Sequence, residues 1–362
     1  MVHVLLLLVC AVVIYLACEW FVNAVEWLGL QLNMGSMAVG TILAALGTAL
    51  PESVVTLVAV TFGGGQHGAD IGVGAALGGP LVVGTIAYAT VGATLLVRRW
   101  QTRRASAKLA TASRATAEPA LVPDTGAPRP PVPAEPAGGL ADIETPRLAR
   151  DQTWFLAIFA VKVGLGLVAF SIKPWLGIAF FAAYGVYFWR ELRGGGPTSV
   201  AELAPLRLQP RRAVPTRTAV IAQTLGCLTL IFVASQLFVG QLEWAGPALG
   251  LPPAVVALLL APIATELPET MNALIWVRQG KTQLALGNIS GSMMIQATIP
   301  SGLGLLFTPW LFDTPLLLAG IATAAAVIYV LVLLRLGRLT AGRLVLTAGF
   351  YSAFAVALAF TL

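Results

Sequence analysis

Apolar residues run on for about twenty positions at a time, again and again along this chain. A helix rises about 1.5 Å per residue, so roughly twenty residues cross the roughly 30 Å hydrocarbon core of a bilayer. Ten such runs can be drawn: 3–29, 36–62, 70–97, 152–172, 175–191, 218–246, 252–277, 283–308, 313–334 and 343–361. Of the 362 residues 57% are hydrophobic and 10% charged, too few charges to solvate that much apolar surface. Alternating barrel strands are absent, and helices satisfy their own backbone in lipid. The expected fold is an all-α integral membrane bundle of about ten transmembrane helices. The first run has no basic leader and no small-residue cleavage site, so it reads as a retained span rather than a signal peptide.

The net charge of +6 invites a nucleic-acid partner, but the placement of the charges removes the need for one. All Lys and Arg except Lys162 and Lys173 fall in 98–150, 190–217, 278–281 and 335–343 or their flanks. Those loops follow the third, fifth, seventh and ninth runs and share one side. The positive-inside rule makes that side cytoplasmic and puts both termini outside, with a bacterial plasma membrane as the expected location. Cys10, Cys18 and Cys227 lie within runs and read as small apolar helix residues.

The organisation follows. Residues 1–100 carry the first three helices. The Pro/Ala-rich segment 101–150 reads as a disordered cytoplasmic loop. Residues 151–192 carry helices four and five, 193–217 form a cytoplasmic linker, and 218–362 carry the last five helices. No nucleotide-binding or hydrolytic motif occurs, so the chain reads as a gradient-driven transporter and not an enzyme.

The two halves repeat. Residues 19–53 laid on 236–270, a constant shift of 217, give 13 identities in 35 positions, including Glu26/Glu243, Trp27/Trp244, Thr48/Thr265, Pro51/Pro268 and Glu52/Glu269. Five runs separate each position from its copy. Five is odd, so the copy crosses the membrane in the opposite sense, the inverted-repeat plan of many secondary transporters. Proline removes a backbone donor and frees a carbonyl in the preceding turn. Carboxylates beside freed carbonyls, supplied from both halves, make an oxygen-lined pocket suited to hard cations. The expectation is that Pro51 and Pro268 break their two helices at the same depth.

These segments resemble the cation/calcium exchanger superfamily, which includes the sodium/calcium exchangers. Its two alpha-repeats each carry G-T-S-x-P-E on one helix and G-N-x-x-G-S-N on the next. The chain shows Gly47-Thr48-Ala49-Leu50-Pro51-Glu52, then Ala264-Thr265-Glu266-Leu267-Pro268-Glu269, and "GNISGSMMIQ" at 287–296, with a weaker "GAALGGPLVV" at 74–83. The resemblance implies antiport by alternating access, Ca²⁺ or a related cation moving against Na⁺ or H⁺. Glu52 and Glu269 would be the central carboxylates, Thr48 and Thr265 would add oxygens, and the carbonyls of Ala45 and Pro262 would face the ions. Ser292 matches the family's later serine and Gln296 stands at its asparagine or aspartate. The sequence departs from the pattern at Gly79 and Val83, which offer no side-chain oxygen, and at Ala49. Glu266 replaces a serine three residues before Glu269, and crowded carboxylates point to proton coupling. No resident cofactor is expected. The partners implied are inorganic cations and the lipid bilayer, with no nucleic acid and no particular protein. The alternatives are a monovalent cation/proton antiporter on the same fold and a non-transporting membrane sensor or scaffold.

Other polar residues have quieter readings. Glu26–Trp27 and Glu243–Trp244 read as interfacial anchors. Glu19 reads as a helix-contact residue, Asn288 as a hydrogen-bonding support of a helix kink, and His67 and Asp70 as solvated loop.

Overall fold

The structure, a computed structural model, describes residues 2–35, 38–62, 65–116, 140, 143–193, 203–248, 259 and 261–361. Among these residues there is no strand. The principal helices are α1 (Val2–Gln31), α2 (Ala45–Phe62), α3 (Gly65–Val82), α4 (Tyr88–Thr116), α5 (Thr145–Gly166), α6 (Leu176–Arg193) and α7 (Arg217–Ala248). The second half continues with α8 (Ala261–Thr265), α9 (Leu267–Arg278), α10 (Thr282–Phe307), α11 (Thr314–Arg335), α12 (Ala341–Val345) and α13 (Ala348–Ala359). By length and composition, Leu5–Gln31, Ala76–Ala107, Arg217–Phe238, Thr314–Arg335 and Ala341–Ala359 are long and apolar enough to cross a membrane.

Local chemistry sets the helix ends. α1 stops at Asn33, which takes a left-handed conformation (φ 54°) while Met34 N–H donates to the Gly29 carbonyl (2.9 Å). Gly280 (φ 85°) and Gly337 (φ 62°) end α9 and α11 in the same way, since glycine carries no Cβ to clash there. Asp313 and Thr340 cap α11 and α12 by accepting from Leu316 N–H (3.0 Å) and Arg343 N–H (3.3 Å).

α10 is the central strut. It packs against α2, α3, α5, α6 and α9, and its run from Leu284 to Thr298 is buried throughout. Small residues permit this. A Cβ on Gly40, in the π-helical turn Val39–Ala44, would sit 2.7 Å from the Leu284 carbonyl, and one on Gly291 would collide with the Thr41 backbone. α1 and α7, mates under the 217-residue shift, pack along each other. Outward faces stay apolar: Leu5, Leu8, Val12 and Leu16 form an exposed stripe on α1 at helical spacing, as a lipid-facing surface requires.

One end of the molecule gathers the basic segments. Arg98 Nη1 donates to the Val277 carbonyl (2.6 Å), Arg335 Nη2 to Thr153 Oγ1 (3.1 Å), and Lys281 pairs with Glu26. At the same end Arg147 and Arg150 converge on buried Glu191 at 2.5 and 3.0 Å, tying α5 to α6. The linker after residue 203 is docked there: the Ala204 carbonyl accepts from Trp27 Nε1 (2.8 Å), and Asn23 accepts from Arg207 N–H (3.1 Å). Glu19 pairs with Arg207 (2.8 Å), a contact with the linker.

Four expectations change. Residues 101–116 are helical, continuing α4, and α5 starts at Thr145. Ala, Arg, Lys and Gln are strong helix formers and dominate 101–110, so the span extends outward as helix. The rest of the expected disordered loop, 117–139 with 141 and 142, lies outside the described residues. Glu26 and Trp27 are buried against protein instead of anchoring at an interface, because each finds a hydrogen-bonding partner within the protein: Trp276 Nε1 donates to Glu26 (2.8 Å), and Trp27 serves the linker. The third is the break expected at Pro51, through which α2 stays helical. The fourth is the solvated loop expected at His67 and Asp70: both lie within the helix α3, which begins at Gly65 and leaves no loop there; their side chains are outside the described residues, as is that of Glu243.

Candidate cation site

The second repeat breaks where its proline predicts. Pro268 has no N–H for the Ala264 carbonyl, and the chain leaves helical geometry at Glu266 (φ −89°, ψ 7°) between α8 and α9. The neighbouring bonds survive: Glu266 N–H donates to the Pro262 carbonyl (3.0 Å) and Thr270 N–H to the Glu266 carbonyl (3.1 Å). The first repeat differs. α2 stays α-helical through Pro51, after the π-helical turn Val39–Ala44. Ala49 stands where Glu266 stands, and alanine is the best helix former. Only the second repeat supplies a carboxylate at that point, and it is bonded elsewhere. Matched breaks at the same depth are therefore not observed.

The break buries acid. Glu266 and Glu269 are 0% and 1% exposed. Gln296 Nε2 donates to Glu266 Oε2 at 2.6 Å, linking α10 to the break. Asn288 Nδ2 donates to the Glu269 carbonyl (3.2 Å), tying α10 to the first turn of α9. Asn288, Ser292 and Gln296 are spaced by four and share one face of α10. Ser292 is fully buried, and its Oγ has no hydrogen-bond partner among the described residues. The same holds for Asn288 Oδ1 and for both amide atoms of Asn272, on the turn after Glu269. Each such orphan costs about 1–3 kcal/mol, and a bound cation or water relieves that cost. Their clustering beside two carboxylates fits a polar cargo. Asn272 escaped the sequence reading, although a lone asparagine in "TMNALIWV" was the available signal.

The remaining expected residues are placed as follows. Thr48 Oγ1 donates to the Ala44 carbonyl (3.1 Å) and Thr265 Oγ1 to the Pro262 carbonyl (3.1 Å), so each hydroxyl keeps its lone pairs. Ala45 is buried in a small cluster with Ala49 and Ile295, next to Gln296. Gly78 of α3 lies against Pro262: a Cβ there would sit 2.7 Å from the proline ring. Gly79 and Val83 are buried. Glu52 lies on α2, but its side chain and that of Pro51 are outside the described residues, so the approach of Glu52 to Glu269 is not described. Among the described residues no group of three or more His, Cys, Asp or Glu side chains gathers as a metal centre.

A buried lysine also went unread for function. Lys162 of α5 is 0% exposed. Its Nζ donates to the carbonyls of Ala76 on α3 (2.5 Å) and Gln296 on α10 (3.5 Å).

The fold and site together are a bundle of apolar helices with carboxylates and orphaned amides buried at a helix break, an arrangement suited to a cation. The family described as sodium/calcium exchanger protein matches residues 2–117 and 219–360. The chain belongs to that family, and is an antiporter and not an enzyme. It is 26% identical over 346 residues to CaxA of Alkalimonas amylolytica, whose name proposes an antiporter, covering 94% of this chain and 92% of that protein. It is 30% identical over 102 residues to the sodium/calcium exchanger MaX1 of Methanosarcina acetivorans, covering 26% of this chain and 29% of that one. The solved structure of the sodium-calcium exchanger NCX_Mj soaked with 2.5 mM Na⁺ and 0.1 mM Ca²⁺ matches with a TM-score of 0.69 at 16% identity, over 99% of this chain and 98% of that one. The two share a fold.

Proposed function

We propose that this chain exchanges Ca²⁺, or a related cation, for Na⁺ or H⁺ by alternating access, driven by the gradient of the counter-ion. Ten spans form two five-helix repeats of opposite topology. Both termini face outward from a bacterial plasma membrane, and the 101–150 and 193–217 segments are cytoplasmic. The gathering of basic segments at one end supports that orientation.

The observation that carries the reading is the burial of Glu266 and Glu269 at the α8–α9 break, beside Ser292 and Asn272. Two carboxylates in a low-dielectric interior repel each other and attract a cation strongly. Glu52 and Glu269 are the central ligands. Thr48, Thr265, Ser292 and the Ala45 carbonyl complete the oxygen set, while Gln296 orients Glu266; the Pro262 carbonyl, the other backbone oxygen expected there, already accepts from Glu266 N–H and Thr265 Oγ1. When the divalent ion leaves, a proton on Glu266 or Glu269 lowers the repulsion.

Reconstituted vesicles test this. Uptake of ⁴⁵Ca²⁺ driven by a Na⁺ gradient, or by a pH gradient alone, supports the reading and identifies the counter-ion. Monovalent cation/proton exchange without Ca²⁺ movement replaces it with the monovalent antiporter, and absence of flux for any cation leaves a sensor or scaffold.

A further inference from the structure

Two prolines inside helices were not used by the reading above: Pro80 in α3 and Pro300 in α10. Each lacks the N–H that would close a bond to the carbonyl four residues earlier. Those carbonyls belong to Ala76 and Gln296, and they are the two that accept from Lys162 Nζ, at 2.5 and 3.5 Å. Ser301 Oγ adds a further donor to the Gln296 carbonyl (3.4 Å). The lysine nitrogen also stands 5.2 Å from the centre of the buried Phe159 ring, within range for a cation over an aromatic face. Lys162 itself is wholly buried.

Carbonyls released from a helix and turned toward one point are how proteins strip and hold a monovalent cation, the oxygens replacing its hydration shell. Here a tethered ammonium fills that position. It does so next to Gln296, on the helix that reaches Glu266, and where α3 offers Gly79 and Val83 in place of oxygen-bearing side chains. Lys162 also lies between the two segments that match the family, 2–117 and 219–360. We propose that the Lys162 ammonium occupies a monovalent-cation site between α3 and α10, so that the exchanger carries one of its positive charges permanently and binds one mobile cation fewer per cycle. The inference rests on the reading of the chain as a cation antiporter, and it specifies what the carrier side of the exchange contains.

The test removes the tether. Purified full-length Lys162→Ala is melted in NaCl, KCl and choline chloride at equal ionic strength, beside the wild type. The expected result is a saturable rise in Tm of the variant with Na⁺ or K⁺, beyond that of the wild type and absent with choline, because a small cation refills the carbonyl site. In vesicles the variant's exchange then acquires a steeper dependence on that cation. Equal responses to the three salts, or the same Na⁺ and K⁺ response in variant and wild type, overturn the proposal, since a lysine acting only as a helix tie leaves no cation-selective site behind. Lys162→Met, which keeps the apolar stem, serves if the alanine variant does not fold. Melting needs no transport. A cation-selective shift with no flux in wild-type vesicles therefore refutes the antiporter reading alone, whereas flux without the shift refutes the tethered cation alone.

Discussion

The side-chain amide of Gln296 donates to Glu266 at 2.6 Å, joining the middle of α10 to the point where the α8–α9 helix breaks. A carboxylate wholly buried in a membrane bundle is held by an amide donor and not left to lipid. The link holds the Glu266 carboxylate toward α10. Glu266→Gln removes one negative charge while keeping the shape. The account predicts that Ca²⁺ affinity of the native protein falls as pH falls, because protons compete for the paired carboxylates, and that Glu266→Gln flattens this dependence. Flux measured across a pH series checks it; an unchanged pH profile in the variant removes Glu266 from proton coupling.

Glu269 sits in the first turn of α9, where the helix dipole already favours an anion. Its replacement by glutamine keeps the volume and removes the charge. Glu269→Gln should weaken apparent Ca²⁺ affinity by roughly ten- to a hundredfold, equivalent to about 1.5–3 kcal/mol for charge-assisted contacts. The measurement is initial ⁴⁵Ca²⁺ uptake against Ca²⁺ concentration in vesicles.

Gly291 approaches the Thr41 backbone so closely that any Cβ must displace it, whereas Gly185 on α6 has open space around it. Gly291→Ala should destabilise by about 1–3 kcal/mol through forced separation of α10 from the π-helical turn. Gly185→Ala should be neutral or gain about 0.5–1 kcal/mol from helix propensity. Thermal melts of the two variants compare these directly.

Arg147 and Glu191 are 8% and 1% exposed, with Arg147 Nη2 2.5 Å from the carboxylate and Thr41 Oγ1 also donating to it at 3.2 Å. Arg147→Met leaves a buried carboxylate short of its nearest partner and should cost about 3–5 kcal/mol. The double replacement Arg147→Met with Glu191→Leu should recover part of that loss in the same melting assay, because removing both charges also removes their desolvation.

The docked linker makes a separate prediction. Trp27→Phe keeps the ring in place but takes away the bond to the Ala204 carbonyl, worth about 1 kcal/mol. Limited proteolysis should cut within 203–216 faster in the variant than in the wild type.

The all-helical, apolar character of the fold was legible because apolar length is a property of sequence alone. The repeat placed Glu269 and Thr265 on the helix that the structure breaks, and Pro268 foretold the break by its missing donor. The same rule misjudged Pro51. Whether a helix yields at a proline depends on the competing bonds of nearby side chains, and Ala49 has none to offer, unlike Glu266 with Gln296. Asn272 was hidden because one amide in an apolar run looks like noise until its neighbours are known. Glu26 and Trp27 were read by their position near a span end, but their partners, Trp276 and Ala204, are about 250 and 180 residues away in the chain. The Lys162 contact was in principle readable, since two prolines name the carbonyls at Ala76 and Gln296. Only the fold shows that one lysine reaches both.

The most direct test of the central claim is a crystal structure of the protein soaked in Sr²⁺ or Mn²⁺, with the ion located by its anomalous signal. The account predicts a peak coordinated by Glu269 and Glu52 oxygens, within reach of Ser292 and next to the α8–α9 break. A peak confined to the surface, or a Glu52 carboxylate turned to lipid with no ion beside Glu269, would contradict it.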